Sequence, residues 1–255
     1  MKFAAILIFI LLPVLAFGGT MTETINLALA ADGIDTLVVK CGAGSLKLSG
    51  VSNGSKIRIS AQIEVENFSE TDFKEFIQKN IQLSLNKQAN RATLQSDMTP
   101  LANPDQDARI NLKIEIPETM NVDIIDGSGS ISVDALNAKL RIDDDTGSIK
   151  IKNISGEVRI GDSSGSIAIE EVTGNVIITD GSGSIGVLSV RGDLNVKDGS
   201  GKIKIVDIDG NVTVSDGSGS IEIQDVKKNV LIIIREEGSG LVEVEGAKGK
   251  VTIKP

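Results

Sequence analysis

Apolar residues recur along the second half of the chain with a fixed 18-residue period. The period is marked by the turn phrase Asp-Gly-Ser-Gly-Ser-Ile, either whole or varied at one or two letters. Its central glycines are Gly129, Gly147, Gly165, Gly183, Gly201 and Gly219. A short period without slippage is typical of a solenoid, in which each repeat forms one coil that stacks on its neighbour.

Five positions of each repeat are apolar in every copy. In the first copy they are Ile131, Val133, Leu136, Leu140 and Ile142, and the same five positions recur in the copies that follow. Side chains two residues apart on a strand share a face, so these columns mark the inner faces of strands. A second turn carries its own glycine, at Gly156, Gly174, Gly192 and Gly210.

These columns predict an all-β fold, namely a single-stranded parallel β-helix (β-solenoid) of 18-residue coils. Each coil is expected to contain a strand, the Asp-Gly-Ser-Gly turn, a second strand and the second turn, and coils pair in parallel about 4.8 Å apart. General chirality favours a right-handed crossover. Because an 18-residue coil also equals three hexapeptides, a left-handed helix stays open.

Residues 19–117 are predicted to form an irregular N-terminal part of the solenoid, and residues 118–255 the regular array with a C-terminal cap. Cys41–Ser45 forms an isolated copy of the turn, in which Gly44 replaces the central glycine and Cys41 the aspartate. Residues 19–31 are only weakly patterned. Alternating, strand-like runs follow at 57–65, 81–96 and 110–116.

One helix is expected near the N-terminus, at about residues 69–80. Ser69 and Asp72 resemble a capping box, and Phe73, Phe76 and Ile77 form a stripe at i, i+3, i+4 spacing. The stripe could line a ligand pocket. A helix that docks its apolar side over an edge of the solenoid is the stronger interpretation, because exposed strand edges need a cover.

Two segments interrupt the strand pattern. Residues 98–107 form a polar loop with two prolines, which is the best internal boundary. Near the C-terminus, Glu237–Gly240 arrives three residues later than the period requires. We interpret that delay as a bulge or as the start of a terminal cap.

The first eighteen residues have the pattern of a secretory signal peptide. Lys2 precedes an almost wholly apolar run from Phe3 to Phe17, and the small residues Ala16 and Gly18 suit cleavage after Gly18. An uncleaved anchor is the alternative, but a run of about 15 residues is short for a membrane span, which needs about 20. The pattern predicts export to the periplasm or the extracellular space.

Composition argues against several classes of function. The net charge of −9 disfavours binding to nucleic acid or to anionic lipid, because both need clustered Lys and Arg. The chain has no His and no nucleophile elbow, so catalysis is not expected. A polysaccharide-cleaving site built from Asp143, Asp144 and Arg159 is the enzymatic alternative, although no cleft-forming insertion interrupts the array.

The aspartates of the repeated turn are the candidate cation ligands. They are Asp126, Asp144, Asp162, Asp180, Asp198 and Asp216. Stacking at about 4.8 Å would make neighbouring carboxylates repel by about 3.5 kcal/mol at an effective dielectric constant of 20. Ca²⁺ could bridge neighbouring coils. The preferred interpretation has no cofactor: each aspartate accepts hydrogen bonds from the amides of its own turn while it faces water.

A column of hydroxyl residues follows the aspartates by two positions. It consists of Ser128, Thr146, Ser164, Ser182, Ser200 and Ser218. Such a column could bind sugar or ice, but the chain has no Trp or Tyr to stack on a sugar ring. Small residues that fit a tight turn are the simpler explanation.

The repeats resemble the bacterial putative-adhesin families of β-strand-repeat domains, including the head-GIN type. The resemblance rests on the Leu37–Val39 run before Gly42–Leu46, on Ile114–Pro117 and on the serial turn phrases. It implies an exported, non-catalytic β-solenoid. We expect a structural or adhesin-like role, with a protein or glycan of the envelope or cell surface as the unidentified partner. A self-assembling envelope scaffold and a calcium-stabilised surface protein are the alternatives.

Overall fold

A computed structural model describes residues 19–99, 107–235 and 240–255. The chain divides into two compact units, and the boundary falls between Ser130 and Ile131. The predicted signal peptide with its cleavage after Gly18, and most of the predicted boundary loop at 98–107, lie outside the described residues. The predicted division near residue 117 stays a prediction.

Strands dominate both units. The first unit contains one helix among its described residues, α1 (Glu70–Asn80). Its strands are β1 (Thr20–Ala30), β2 (Thr36–Lys40), β3 (Ala43–Val51), β4 (Lys56–Glu66), β5 (Ile81–Gln88), β6 (Arg91–Met98), β7 (Asp107–Pro117) and β8 (Asn121–Asp126). Strand β9 (Ser128–Leu136) spans the boundary. The second unit continues with β10 (Leu140–Ile154), β11 (Val158–Val172), β12 (Val176–Asp180), β13 (Gly183–Val190), β14 (Leu194–Ile208), β15 (Val212–Val226), β16 (Val230–Ile234), β17 (Val242–Glu245) and β18 (Val251–Lys254).

The isolated coil predicted around Cys41 belongs to the solenoid. Strand β2 pairs in parallel with β8, where Thr36 lies opposite Asn121, and its other edge pairs in parallel with β6. A Cβ atom added to Gly129 would lie 1.8 Å from the carbonyl oxygen of Gly44. Gly44 therefore occupies the central-glycine position of its coil, as predicted. The residues between the two coils form an insertion in the stack.

The insertion and β1 bring antiparallel pairs into the first unit. Strand β4 pairs antiparallel with β1 on one edge and with β7 on the other, and β5 pairs antiparallel with β6. The sequence did not predict β1, because its inward side is interrupted by Glu23 opposite Ile63. Burial raises the pKa of the Glu23 carboxyl. The N-terminal part of the solenoid is thus a mixed sheet rather than a purely parallel one.

Helix α1 follows the predicted pattern closely. The Ser69 hydroxyl oxygen accepts a hydrogen bond from the Asp72 backbone N–H at 3.2 Å, which is the expected N-cap contact. Phe73 and Phe76 are buried, so the stripe packs into the unit. No helix among the described residues is long and apolar enough to cross a membrane.

The second unit is the regular parallel array. Its strands pair at an 18-residue offset, as Leu140 with Val158, Val158 with Val176, Val176 with Leu194 and Leu194 with Val212. All five predicted apolar columns are buried, and no member is more than 3% exposed. The predicted β-solenoid of 18-residue coils is therefore confirmed.

The last coil shows a shift in register. Val230 lies opposite Val212 and keeps the regular offset, whereas Val242 lies opposite Ile221 and exceeds that offset by three residues. The three extra residues fall between β16 and β17, and parallel pairing resumes after them. The predicted interruption is thus an insertion of three residues between β16 and β17, and Glu237–Ser239 lie outside the described residues.

Candidate functional site

The aspartates of the repeated turn point inward. We call Asp144, Asp162, Asp180, Asp198 and Asp216 in the second unit the aspartate ladder, and Asp126 holds the same turn position in the first unit. Cα pairing joins each ladder aspartate to the next one along the chain. Their exposed fractions are 5, 7, 4, 1 and 0% in chain order, and that of Asp126 is 4%. The part of our interpretation that placed these carboxylates in water is wrong.

The inward direction follows from strand alternation. Leu140, Ile142 and Asp144 are spaced by two residues, so all three share the inner face of the strand. The same spacing recurs in every later coil. The spacing of two residues therefore indicated burial of the aspartate. We predicted exposure instead because the residue is acidic and precedes a glycine turn.

The turn amides supply part of the hydrogen bonding, as predicted. The Ser164 amide donates to Asp162 Oδ1 at 3.2 Å, and the Ser182 amide donates to Asp180 Oδ1 at 3.3 Å. The Oδ2 atoms of both aspartates are buried without a hydrogen-bond partner among the described residues. In Asp198 and Asp216 neither carboxylate oxygen has a partner with hydrogen-bond geometry in that part of the chain.

Burial raises the pKa values of four ladder carboxyls, those of Asp162, Asp180, Asp198 and Asp216. Burial raises the pKa of Asp198 to about 6, with a further contribution from the charges of Asp180 and Asp216. The pKa values of Asp162, Asp180 and Asp216 are raised for the same main reason, burial. Nearby turn amides oppose the effect, but they do not cancel it. The ladder therefore holds carboxyl groups that are poorly stabilised as anions.

The geometry of a metal site is not evident at the ladder. Among residues 19–99, 107–235 and 240–255, no three His, Cys, Asp or Glu side chains converge in a way that could hold a metal ion. Ca²⁺ takes six to eight oxygen ligands, and the inner neighbours of the aspartates are aliphatic. Calcium binding by the candidate aspartates stays an untested alternative to the preferred interpretation without a cofactor.

The residues of the hydroxyl column lie in the same turn and are less buried than the aspartates. Thr146 lies opposite Ser164 and Ser200 opposite Ser218, in the predicted register. The backbone amides of Ser164 and Ser182 cap aspartates of their own turns. These contacts come from the backbone, so the role of the small side chains in the turn stays a prediction.

A ladder of Asn and Asp side chains in the second turn was not predicted. We call it the second-turn ladder, and it consists of Asn175, Asp193, Asn211 and Asn229. Asn175 Oδ1 accepts from the Asp193 amide at 2.9 Å, and Asp193 Oδ1 accepts from the Asn211 amide at 2.7 Å. Asn211 Oδ1 accepts from the Asn229 amide at 3.3 Å, and Asn229 Oδ1 accepts from the Lys250 amide at 2.9 Å. Each side chain thus satisfies the backbone of the next coil. The run Asn, Asp, Asn, Asn at the spacing of the repeat was the available signal.

The proposed polysaccharide-cleaving residues are not brought together. Asp144 points into the core, whereas Asp143 pairs on the surface with Arg141 at 2.9 Å. Arg159 forms an ion pair with Glu157. The three side chains therefore do not form a common catalytic cluster.

The outward face of the strands that follow the Asp-Gly-Ser-Gly turn carries a small apolar strip. We call Ala168, Gly186, Leu188 and Val206 the outer strip; Leu188 is 46% exposed. These residues line a surface cavity of about 230 Å³ together with Glu170 and Lys204. Two ion pairs border the strip, Lys152–Glu170 at 3.3 Å and Lys204–Glu222 at 2.7 Å.

The first unit carries a larger surface cavity of about 340 Å³. Strands β1, β4 and β7 line it, with Ala28, Arg58 and Lys113 among the lining residues. Phe73 and Phe76 lie elsewhere, in the packed contact of α1. The helix stripe therefore serves packing, and it does not line this cavity.

Comparison with known proteins gives matches among solved structures. No protein-family model and no curated protein matches the chain. One similar structure is a putative cell adhesion protein from Clostridium sporogenes, with 13% identity, a TM-score of 0.35, and coverage of 91% of this chain and 99% of that chain. Another is a putative adhesin from Bacteroides fragilis, with 14% identity, a TM-score of 0.38, and coverage of 91% and 96%.

A third similar structure is a putative lipid binding protein from Parabacteroides distasonis, with 13% identity, a TM-score of 0.49, and coverage of 91% and 96%. The descriptions of the first two structures agree with the resemblance to putative adhesins that the repeats indicate. Sequence identities of 13–14% and TM-scores below 0.5 carry no argument about activity. The function proposed below therefore rests on the residues of this chain.

Proposed function

We propose that the chain is an exported, non-catalytic β-solenoid with a structural or adhesin-like binding role. Its partner is a protein or glycan of the envelope or the cell surface. The observation that carries the proposal is the outer strip, an exposed apolar surface bordered by charged side chains on the outer face of the strands that follow the Asp-Gly-Ser-Gly turn. Exposed apolar patches with a polar rim are typical of interaction sites.

The arrangement of the outer strip supports a contact surface rather than a reaction site. Ala168 and Gly186 are small and lie opposite each other in neighbouring strands, so they leave a depression on the pleated face. Leu188 stands beside it and can insert into a partner. The bordering ion pairs are exposed, and exposed pairs contribute more to orientation than to affinity.

Binding of the fluorescently labelled protein to intact bacterial cells tests the proposal. We expect saturable binding that Leu188→Asp weakens about tenfold or more, because a charge in the centre of a contact must be desolvated. Thr179→Asp places the same charge on an outward position away from the strip and is expected to bind like the native protein. Protease treatment of the cells distinguishes a protein partner, and periodate oxidation a glycan partner. No saturable binding, or equal binding by both variants, would contradict the proposal.

End-on self-association is a second candidate, favoured by exposed residues of the last coil. Val251 and Ile253 continue the buried columns of Val230 and Ile232. They are 42% and 53% exposed, whereas Val230 and Ile232 are 1% and 0% exposed. Open strand edges with apolar side chains are prone to pair with another chain.

Light scattering across a range of protein concentrations tests this second candidate. We expect a rise in mean mass with concentration that Ile253→Lys abolishes and that Thr252→Lys, one residue away on the other face, leaves unchanged. A constant monomer mass at the highest concentration would exclude end-on assembly.

A further inference from the structure

We propose that four members of the aspartate ladder form a line of proton-binding sites: Asp162, Asp180, Asp198 and Asp216 take up protons between neighbouring coils. Proton uptake then stabilises the second unit. This inference is independent of the binding role proposed above.

Register and burial bring the four carboxyl groups together. Asp162 pairs with Asp180, Asp180 with Asp198, and Asp198 with Asp216, as Cα partners in parallel strands. Neighbouring strands are about 4.8 Å apart. The four residues are between 0 and 7% exposed, so little water screens the charges from one another.

Each of these four carboxyl groups has at least one buried oxygen without a hydrogen-bond partner among the described residues. These atoms are Oδ2 of Asp162 and Asp180 and both oxygens of Asp198 and Asp216. A buried carboxylate oxygen without a donor is strongly disfavoured. A proton converts one such oxygen into an O–H donor, which can bond to a carboxylate oxygen of the next coil. Each proton comes from solvent, forms one O–H bond and removes one negative charge.

The charges around the ladder leave its middle without a compensating cation. Burial, the Asp180 carboxylate and, to a smaller extent, the Asp145 carboxylate raise the pKa of Asp162, whereas the Arg235 guanidinium partly offsets the rise that burial causes in the pKa of Asp216. Of the charged residues in the described part of the chain, only Asp180 and Asp216 shift the pKa of Asp198. The other inward side chains of the flanking strands β12 and β15 are aliphatic. Among the described residues, therefore, no Lys or Arg acts on the Asp198 pKa.

The sign of the pH dependence follows from these pKa values. An unfolded aspartate titrates near pH 3.9, whereas the pKa of folded Asp198 is raised to about 6. Between these values the folded chain binds more protons than the unfolded chain, so stability increases as pH falls from 8 to 5. The exposed carboxyls of Asp209 and Glu222 have lowered pKa values, and their opposite effect appears at lower pH.

Urea unfolding of the full chain between pH 8 and pH 5 tests the proposal. The unfolding equilibrium constant of the native sequence is expected to be about tenfold or more smaller at pH 5 than at pH 8. Asp198→Asn removes one buried charge and supplies an amide donor, so it should stabilise the protein at pH 8 and reduce the pH dependence. Glu243→Gln makes the same change in net charge at an exposed position and should leave the pH dependence intact.

Infrared spectroscopy of protein with ¹³C-labelled aspartate observes the protons directly. We expect a protonated-carboxyl C=O band at pH 5.5 that shifts in D₂O and loses intensity in Asp198→Asn but not in Glu243→Gln. Absence of the band at pH 5.5, or stability that is constant or falls between pH 8 and pH 5, would overturn the proposal.

A calcium titration separates protons from metal ions. With proton binding as the function of the ladder, neither EDTA nor CaCl₂ should change the urea midpoint at pH 6. If calcium raises the midpoint, EDTA reverses the rise and the carboxyl band is absent, the ladder binds a divalent cation and the proton assignment is wrong.

Discussion

At the residue scale, the last coil of the second unit has Gly246 with a positive φ angle at a position where each of the six preceding coils has one non-glycine residue. These residues are Ala135, Asn153, Glu171, Ser189, Asp207 and Asp225, with φ between 54° and 63°. The left-handed conformation costs an L-residue roughly 1–2 kcal/mol, and Asn and Asp tolerate it best. The composition of this column is mixed, so the sequence did not reveal the conformation.

Glycine at this position should stabilise the protein. Glu171 is exposed, and glycine adopts its φ of 57° without steric cost. We expect Glu171→Gly to raise the unfolding free energy by about 0.5–1 kcal/mol, measured by urea unfolding. Asn153→Gly is the matched control and should give no gain, because Asn already tolerates the conformation and its side chain bonds to Asp134 at 2.9 Å. A loss of stability in Glu171→Gly would contradict the assigned φ.

The central glycines are required for close approach of the coils. A Cβ atom on Gly183 would lie 1.7 Å from the carbonyl oxygen of Gly165, and the φ angle of Gly183 is +140°. Gly183→Ala should therefore lower the unfolding free energy by about 3 kcal/mol or more. Gly186→Ala, in the same strand, meets its nearest atom at 3.9 Å and should change stability by less than about 0.5 kcal/mol. Thermal unfolding of both variants checks this difference, and equal losses would contradict it.

The aspartates show where prediction from sequence succeeded and where it failed. The turn hydrogen bonds of Asp162 and Asp180 were predicted from the local Asp-Gly-Ser-Gly order. Burial was not predicted, although Asp144 continues the alternation of Leu140 and Ile142. A local turn rule and a strand-face rule applied to the same residue, and the strand face determined the direction of the side chain.

At the element scale, the regular strands were predictable and the insertion was not. The five columns of the second unit fix both register and face, because every coil repeats them at one offset. In the first unit, β2 pairs with β6 and with β8, both of which lie far along the chain. Pairing between strands so far apart in sequence depends on which strand edges come together in the fold. The alternation of apolar and polar residues within each strand therefore cannot assign the partners.

The second-turn ladder of Asn and Asp side chains should stabilise the stacked strands. Asn211 Oδ1 accepts from both the backbone amide and the side-chain amide of Asn229. Asn211→Ala removes these contacts and should lower the unfolding free energy by about 1–2 kcal/mol. Asn195→Ala, at an exposed strand position, should change it by less than about 0.5 kcal/mol. Urea unfolding measures both variants, and an Asn211→Ala variant as stable as the native protein would show that solvent replaces the ladder.

At the scale of the whole molecule, the repeat predicts architecture better than function. Inward side chains must all pack in the core, so the same aliphatic residue types recur at these positions from coil to coil. Outward positions differ, as in the column Lys150, Ala168, Gly186, Lys204 and Glu222. The outer strip arises where small and apolar residues of neighbouring coils meet, and this combination becomes visible only when the register is known.

The central claim is that each 18-residue repeat of the second unit advances the stack by one strand spacing. Electron paramagnetic resonance of spin labels at outward positions tests it most directly, with Cys41→Ala as the background. Labelled pairs at 150/168, 150/186 and 150/222 lie one, two and four coils apart. Parallel in-register stacking predicts separations of about 5, 10 and 19 Å, broadened by the label linkers. Separations that fail to increase in proportion to the number of coils would contradict the stacked solenoid.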